Sequence, residues 1–323
     1  METNDRVYPL EASIVIVSFN TKELLRKCLD IVYKETEGIN CEIIVIDNGS
    51  KDHSADTVEE EFPNVKLVRE NSNLGFAAAN NVGFKIAQGR FVVMLNSDAF
   101  LQPGSLRKAI LKMNFAPNVG LAGGKLIGTD GAWQPSARQF PSFLNDFLHL
   151  SGLAAKYPNS PFFGRADRTW CDPDEPADID WVPGAFAIIR HDVLDQVKGF
   201  DERFFLYYEE VDLCQKIKAE GYKICYWPEI VITHLGGESS KTVHHLNLCS
   251  AGTQLTLWRM RSALLYYRKQ HGYLGAWGTK EMEIWWHRIR ILKNSFSFDA
   301  ESQAKVEESK AIISLMKQAW KDT

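Results

Sequence analysis

Short apolar, β-branched runs recur through the first hundred residues, at Ser13–Ser18, Glu42–Asp47, Val65–Arg69 and Phe91–Asn96, with segments of helical spacing between them. Such runs have no polar face to turn to water, so they fit a parallel sheet covered on both sides by helices. Lys22 to Tyr33 places Leu24, Leu25, Cys28, Leu29 and Val32 on one side of a predicted helix. Phe76 to Gln88 is rich in Ala and ends at Gly89, a helix stop. The βαβαβαβ order that results predicts the nucleotide-binding half of an α/β fold.

The fourth run continues into Asn96-Ser97-Asp98, which puts a carboxylate at the end of a sheet, where open α/β sheets bind ligands. With a small residue before it, Asp98 suits a hard divalent cation that in turn grips a diphosphate. The competing structural role is a cap on a helix starting near Pro103. Asp47 closes the second run in Ile-Asp-Asn-Gly-Ser, where an acid accepts hydrogen bonds from a ribose or a base. The first run ends in Ser-Phe-Asn-Thr-Lys rather than G-x-G-x-x-G, which argues against a nicotinamide dinucleotide and leaves phosphate neutralisation to another group, a metal on Asp98.

Composition narrows the classes. The chain has 323 residues, 45% of them hydrophobic, enough for one large core or two merged subdomains. A formal charge of -4 gives no electrostatic case for nucleic acid. Cysteines at 28, 41, 171, 214, 225 and 249 form no C-x-x-C pair, so they read as reduced thiols of a cytoplasmic protein. The acidic start is unlike a signal peptide, and no apolar run reaches membrane-span length.

Four further segments matter. Asn71 to Asn81 packs amides and small residues into a helix start, so that Asn73 or Asn80 either contacts a ligand or caps the helix. Residues 157–180 hold four prolines and many acids, the mark of a long mobile loop that is either a connector or a lid. Trp181 to Arg190 reads as a strand after a Pro-Gly turn, and the aromatic run ending at Tyr208 opens a helix with Glu209, Glu210 and Asp212 in its first turns. Acids there satisfy the helix dipole, and a carboxylate in a partly apolar wall also meets the needs of a general base. His234 follows another strand and is either a structural histidine or an imidazole ligand for the metal.

After Gly252 the chain reads as helical and basic. Between Trp258 and Lys293 stand eight Lys or Arg against Glu281 and Glu283, interleaved with Trp and Tyr. Leu257, Met260, Leu264 and Tyr267 share one helical face. The tail packs on its own domain, lies on an anionic membrane surface, or forms a homo-oligomeric contact.

The ordered series Ser18-Phe-Asn20, Val45-Ile-Asp-Asn-Gly-Ser50, Asn73-Leu-Gly-Phe-Ala-Ala-Ala-Asn80, Leu95-Asn-Ser-Asp98, Val182-Pro-Gly-Ala185, Phe205-Leu-Tyr-Tyr-Glu-Glu-Val-Asp-Leu213 and His234 resembles family 2 glycosyltransferases, most nearly the bacterial rhamnosyltransferases, over roughly residues 10–240. The resemblance implies an α/β GT-A fold: a Rossmann-like, mostly parallel sheet flanked by helices. The domain would span 10–245, split into a nucleotide-sugar half (10–100) and an acceptor and catalytic half (101–245), with a helical C-terminal extension over 250–323.

It further implies donor contacts from Ser18, Asn20, Asp47, Asn73, Gly75, Asn80, Asn81 and Asn96, and Mg²⁺ or Mn²⁺ on Asp98 and His234. Asn96 replaces the first acid of the family's D-x-D motif. The base would be Glu210, with Glu209 as the alternative, because this chain has Glu where the family's pair usually ends in Asp. The implied reaction is inverting transfer of a sugar, such as L-rhamnose from dTDP-rhamnose, to a hydroxyl of a glycan or lipid-linked saccharide. The alternatives are another nucleotide sugar or a non-catalytic nucleotide-sugar-binding module.

Overall fold

The computed structural model describes residues 7–236, 254–297 and 299–323. The expected boundary between residues 245 and 250 lies outside them, as does Cys249. The first half alternates as expected: β1 (Leu10–Ser18), α1 (Lys22–Glu35), β2 (Cys41–Asp47), α2 (Ser54–Glu61), β3 (Lys66–Arg69), α3 (Phe76–Ile86) and β4 (Gly89–Asn96). There follow β5 (Ala99–Leu101), α4 (Ser105–Phe115), β6 (Val119–Ile127), β7 (Trp133–Gln134), α5 (Phe143–Leu150), α6 (Leu153–Lys156), β8 (Ala177–Ile179), β9 (Phe186–Arg190) and α7 (His191–Gln196). The chain ends with α8 (Glu209–Ala219), β10 (Lys223–His234), α9 (Gln254–Asn294, broken at Gly272) and α10 (Ala300–Lys321).

One sheet runs β3-β2-β1-β4-β9-β6-β10-β5, with β7 beside β6 and β8 beside β10. The first four strands are parallel. Beyond them the sheet is mixed, which narrows the mostly parallel expectation to its first half. β9 is antiparallel to both β4 and β6. It begins opposite the C-terminal end of β4, with Phe186 against Leu95, and runs back along it after the excursion through β5 to β8.

Each face of the sheet is dry. Ile14, Ile16, Val93 and Leu95 pack on the α1 face with Leu25, Cys28, Leu29 and Val32, while Val15, Ile46, Val92 and Met94 pack on the α3 face. Consecutive residues of β1 and β4 thus serve opposite cores, which explains why these strands are uninterrupted apolar runs. The five described cysteines are free thiols.

The proline-rich stretch from 157 is fastened rather than loose. Thr169 donates to the Pro158 carbonyl at 2.6 Å, Tyr226 donates to the Pro173 carbonyl at 2.6 Å, and β8 pairs with β10.

In the tail, Leu257, Met260 and Leu264 of α9 pack against Leu315, Met316 and Ala319 of α10, and Tyr267 is buried with Phe204 and Val211. Lys269 pairs with Asp201 and Asp212, Arg261 with Asp322, Arg290 with Glu308, and Lys280 with Glu281. Of the six surplus positive charges between Trp258 and Lys293, the three on Arg261, Lys269 and Arg290 are therefore paired with carboxylates outside that segment. No helix among the described residues is long and apolar enough to cross a membrane.

Candidate active site

The chain runs β1, β2, β3 in one direction across the sheet and then jumps back to β4 on the other side of β1. This reversal opens a crevice at the carboxyl ends of β1 and β4, the place where such sheets bind ligands. A cleft of about 250 Å³ lies there, walled by Val17, Asn48, Asn73, Gly75 and Asn96 to Asp98 on the nucleotide-binding side. Gly184, Phe205 to Tyr207, Glu209, Glu210, His234 and Trp258 close it from the other side.

Asp98 does not cap a helix. It sits in the tight turn between β4 and β5, and α4 begins later with Gly104 at its N-cap. β5 pairs antiparallel with the end of β10, Ala99 opposite His234, so the register brings Asp98 beside the imidazole. The Leu235 amide donates to the Asp98 carbonyl at 3.1 Å, and His234 Nε2 lies 3.6 Å from Asp98 Oδ1. Gln134 on β7 accepts from His234 Nδ1 at 3.1 Å and donates to the His234 carbonyl at 2.9 Å.

With Nδ1 carrying the proton, Nε2 turns a lone pair toward the carboxylate; it is buried and has no hydrogen-bond partner among the described residues. Burial lowers the imidazole pKa below its ordinary value, opposed by the Asp98 charge. A neutral imidazole and a carboxylate converging in this way fit a divalent cation. No set of three or more His, Cys, Asp or Glu able to hold a metal occurs among the described residues. The other coordination positions would fall to water and donor phosphate oxygens, as is usual for Mg²⁺.

The amide residues divide into two groups. Asn48 and Asn73 form a network at the cleft: Asn48 accepts from the Leu74 amide at 2.8 Å and donates to Asn73 at 3.0 Å, and Asn73 accepts from the Gly75 amide at 2.9 Å. Gly75 has φ +86°, and a Cβ there would stand 2.5 Å from the Phe205 carbonyl, which the Phe76 amide also reaches at 2.7 Å. Only glycine lets the Phe205 loop close this wall.

Asn80 and Asn81 lie outside the cleft. Asn80 donates to the Phe76 carbonyl within α3, and Asn81 exchanges two hydrogen bonds with the Phe200 backbone, so both fasten structure. Ser18, Asn20 and Asp47 also do not line the cleft. Ser18 bonds to Thr21, and Asn20 accepts from the Lys51 amide. Asp47 is buried beside Asn48; its Oδ2 accepts from the Ser50 amide, and its Oδ1 has no partner among the described residues, an acceptor left open at the end of β2.

Glu209 and Glu210 open α8 after two consecutive residues in the left-handed region, Tyr207 and Tyr208, each with φ +69°. Bulky residues adopt that conformation at a cost, and here it swings both carboxylates out of the loop into the site. Burial raises both carboxyl pKa values above the ordinary range; repulsion from Glu210 adds to the effect at Glu209, while Arg138 opposes it at Glu210. One oxygen of each is buried without a hydrogen-bond partner among the described residues. Asp212, the third acid, is a structural anchor: it is fully buried and held by Lys269 at 2.7 Å.

The two glutamates differ in what lies beyond them. A second cavity, about 670 Å³, lies between the sheet domain and the tail helices, and Glu210 lines both spaces whereas Glu209 lines only the first. The lining of the second cavity combines the polar Arg138, Asp146, His149, Asp167, Arg259 and Glu283 with the apolar Leu264, Met282 and Met316. Arg138 and His149 flank Asp167 at 3.3 and 3.7 Å. Burial pushes the Asp146 carboxyl up to about 6, although Tyr267 donates to it at 2.6 Å.

Sequence reading missed Gln134, Arg138 and Trp258, whose ring stacks on Phe205 at 4.5 Å between centroids. Gln134 and Arg138 belong to a segment with no strong local pattern, and Trp258 to a helix whose spacing shows its fold but not its neighbours, so only approach to a motif residue reveals a role.

Residues 13–197 match the family described as Glycosyl transferase family 2, more than half of the chain. The chain belongs to glycosyl transferase family 2. A relative from Mycobacterium tuberculosis, an N-acetylglucosaminyl-diphospho-decaprenol L-rhamnosyltransferase, is 30% identical over 205 residues, which cover 59% of this chain and 66% of that protein. The O-antigen biosynthesis protein RfbC of Myxococcus xanthus is 23% identical over 69% of this chain but only 17% of its own length.

Among solved structures, the fold of this family 2 member is similar to that of a mannosyltransferase from Pyrobaculum calidifontis in complex with GDP-Man and Mn²⁺. The TM-score is 0.55 at 14% identity, covering 99% of this chain and 92% of that one. GalNAc-T7 with UDP, GalNAc and Mn²⁺ gives 0.58 at 17% identity, over 82% and 50% of the two chains. These likenesses establish the GT-A-like fold.

Proposed function

We propose that this family 2 member catalyses inverting, divalent-metal-dependent transfer of a sugar from a nucleoside diphosphate to an acceptor hydroxyl. The observation that carries this reading is the position of Glu210, a residue that lines both the cleft holding Asp98 and His234 and the second cavity. The donor occupies the first space, with its nucleoside toward Asp47, Asn48 and Asn73 and its diphosphate toward Asp98 and His234. A bound Mg²⁺ or Mn²⁺ supplies charge neutralisation for the departing diphosphate.

The acceptor hydroxyl approaches from the second cavity and attacks the anomeric carbon on the face opposite the diphosphate. Glu210 takes the hydroxyl proton as the new C–O bond forms and the bond to the diphosphate breaks. One displacement inverts the anomeric centre. The raised proton affinity of a buried carboxylate suits a base that works near neutral pH.

L-Rhamnose carried by dTDP is the donor we favour, and a lipid-linked saccharide the acceptor; the sugar and the acceptor class are supported by the similarity to the mycobacterial rhamnosyltransferase. The test is a thermal-shift screen of nucleotide sugars with and without Mn²⁺, followed by NMR assignment of the product anomer. Metal-dependent stabilisation by dTDP-rhamnose, followed by inverted product, is the expected result. Metal-dependent stabilisation by a different donor alone would replace the rhamnose assignment. Retained anomeric configuration would overturn the Glu210 mechanism, and binding without turnover on any acceptor would favour a binding module.

A further inference from the structure

Among the described residues a large apolar surface stands exposed where α5 and α9 meet. On α5, Phe143, Leu144 and Phe147 are 53%, 38% and 38% exposed; on α9, Trp277, Trp285, Ile289 and Leu292 are 46%, 57%, 57% and 62% exposed. The two helices meet here. Phe143 lies 3.8 Å from the Cβ position of Gly278, and Phe147 meets Trp286 edge-on with ring centroids 6.3 Å apart. Residues 278, 285, 289 and 292 recur at helical spacing, so the α9 stripe continues the α5 patch along one side of the helix.

The charges around the stripe are of one sign where they are free. Arg288 and Lys293 are exposed beside it, and among the described residues neither has an ion-pair partner; Arg288 stacks over Trp285 at 4.9 Å. The acid on this side, Glu281, is neutralised by Lys280 at 2.8 Å. Tryptophans flanked by Arg and Lys on an apolar helical face match the chemistry of a bilayer interface, where aromatic rings lie at headgroup level and cations meet anionic lipid.

The same two helices wall the second cavity, through Asn145, Asp146 and His149 of α5 and Thr279, Met282 and Glu283 of α9. We propose that the α5–α9 face seats the protein on an anionic lipid bilayer, so that the second cavity opens at the membrane surface. The seat itself stands on the exposed face alone; its use in delivering an acceptor rests on the functional reading above. A saccharide carried on a membrane lipid would then reach Glu210 without leaving the bilayer, Arg138 and Arg259 facing its anionic linkage.

The experiment is flotation of the full chain with vesicles of phosphatidylcholine alone or mixed with phosphatidylglycerol, at low and high salt, for the parent, Trp285→Glu/Ile289→Glu, and Arg288→Gln/Lys293→Gln. The parent should float with anionic vesicles and less so at high salt. The first double variant should lose binding about tenfold or more, because it places charge where apolar side chains enter the interface. The second should weaken binding to anionic vesicles and lose the salt dependence. Thermal melts of both variants should match the parent, since all four side chains are exposed.

A parent that fails to float on any vesicle, or floats equally well with Trp285→Glu/Ile289→Glu, overturns the seat. So does light scattering that shows a parent dimer broken by that variant, which would make the face a contact between copies. Donor binding with Mn²⁺, measured without vesicles, reports separately on the catalytic reading.

Discussion

Glu210→Gln should slow the protein and stabilise it at once. The amide keeps the shape of the side chain at the partition between the two cavities but cannot accept a proton, so turnover should fall about 10² to 10⁴-fold, equivalent to about 3–5 kcal/mol of transition-state stabilisation. Donor affinity should stay within about twofold, because the carboxylate's task is on the acceptor side. The stability change follows from burial. Glu210 holds its proton more tightly in the folded chain than in the unfolded one, where the pKa is near 4.3.

Between those two pKa values the folded state binds more protons, so stability declines as pH rises through the window and is lowest above it. Gln cannot ionise and escapes that loss, gaining about 1.4 kcal/mol at pH 8 for each pH unit by which the folded pKa is raised, with no gain at pH 4. The measurements are single-turnover transfer and urea denaturation at pH 4 and 8. A variant that turns over within about twofold of the parent would refute the base assignment, and a large loss in Glu209→Gln alone would move it one residue back. A Glu210→Gln protein less stable than the parent at pH 8 would refute the argument that burial raises this carboxyl.

Two further predictions concern the neighbouring groups. Asp98→Ala should abolish the Mn²⁺ dependence of donor binding in calorimetry, and Gln134→Leu, which frees the His234 tautomer, should weaken Mn²⁺ about 10 to 100-fold; an unchanged metal response in both would remove the metal from Asp98 and His234. Asp146→Asn should flatten the pH profile of stability: with the folded carboxyl at about 6 and an ordinary value of 3.8, stability should fall by up to about 3 kcal/mol as pH rises from below 4 to above 6 in the parent and not in the variant. Parallel urea-midpoint profiles for the two proteins would show that burial does not perturb this group.

Much of this protein was legible in the sequence because the information was local. The uninterrupted apolar runs of β1, β2 and β4 fit strands dry on both faces, whereas β3, Lys66–Arg69, is a short edge strand with exposed ends that its place between two helical segments marks. The polar endings of those runs, Asp47-Asn48 and Asn96 to Asp98, had to stand at one edge of the sheet, since parallel strands all end on the same side. The resemblance carried by the ordered motifs then pointed to glycosyl transferase family 2.

Tertiary structure decided whatever depended on approach between distant segments. The sequence left Asp98 open between a helix cap and a ligand; the β5–β10 register excluded the cap by setting Ala99 opposite His234. Asn73 and Asn80 look alike in the sequence, yet Asn73 stands in the loop before α3 and faces the cleft, while Asn80 lies inside the helix and bonds to the Phe76 carbonyl one turn back. Glu209 and Glu210 are adjacent acids that differ in which cavity each touches. In the tail, composition gave a basic surface, but the folded chain pairs half of that surplus with its own carboxylates and exposes a narrower apolar stripe. Partnership of this kind is a property of three-dimensional neighbours, and no local pattern encodes it.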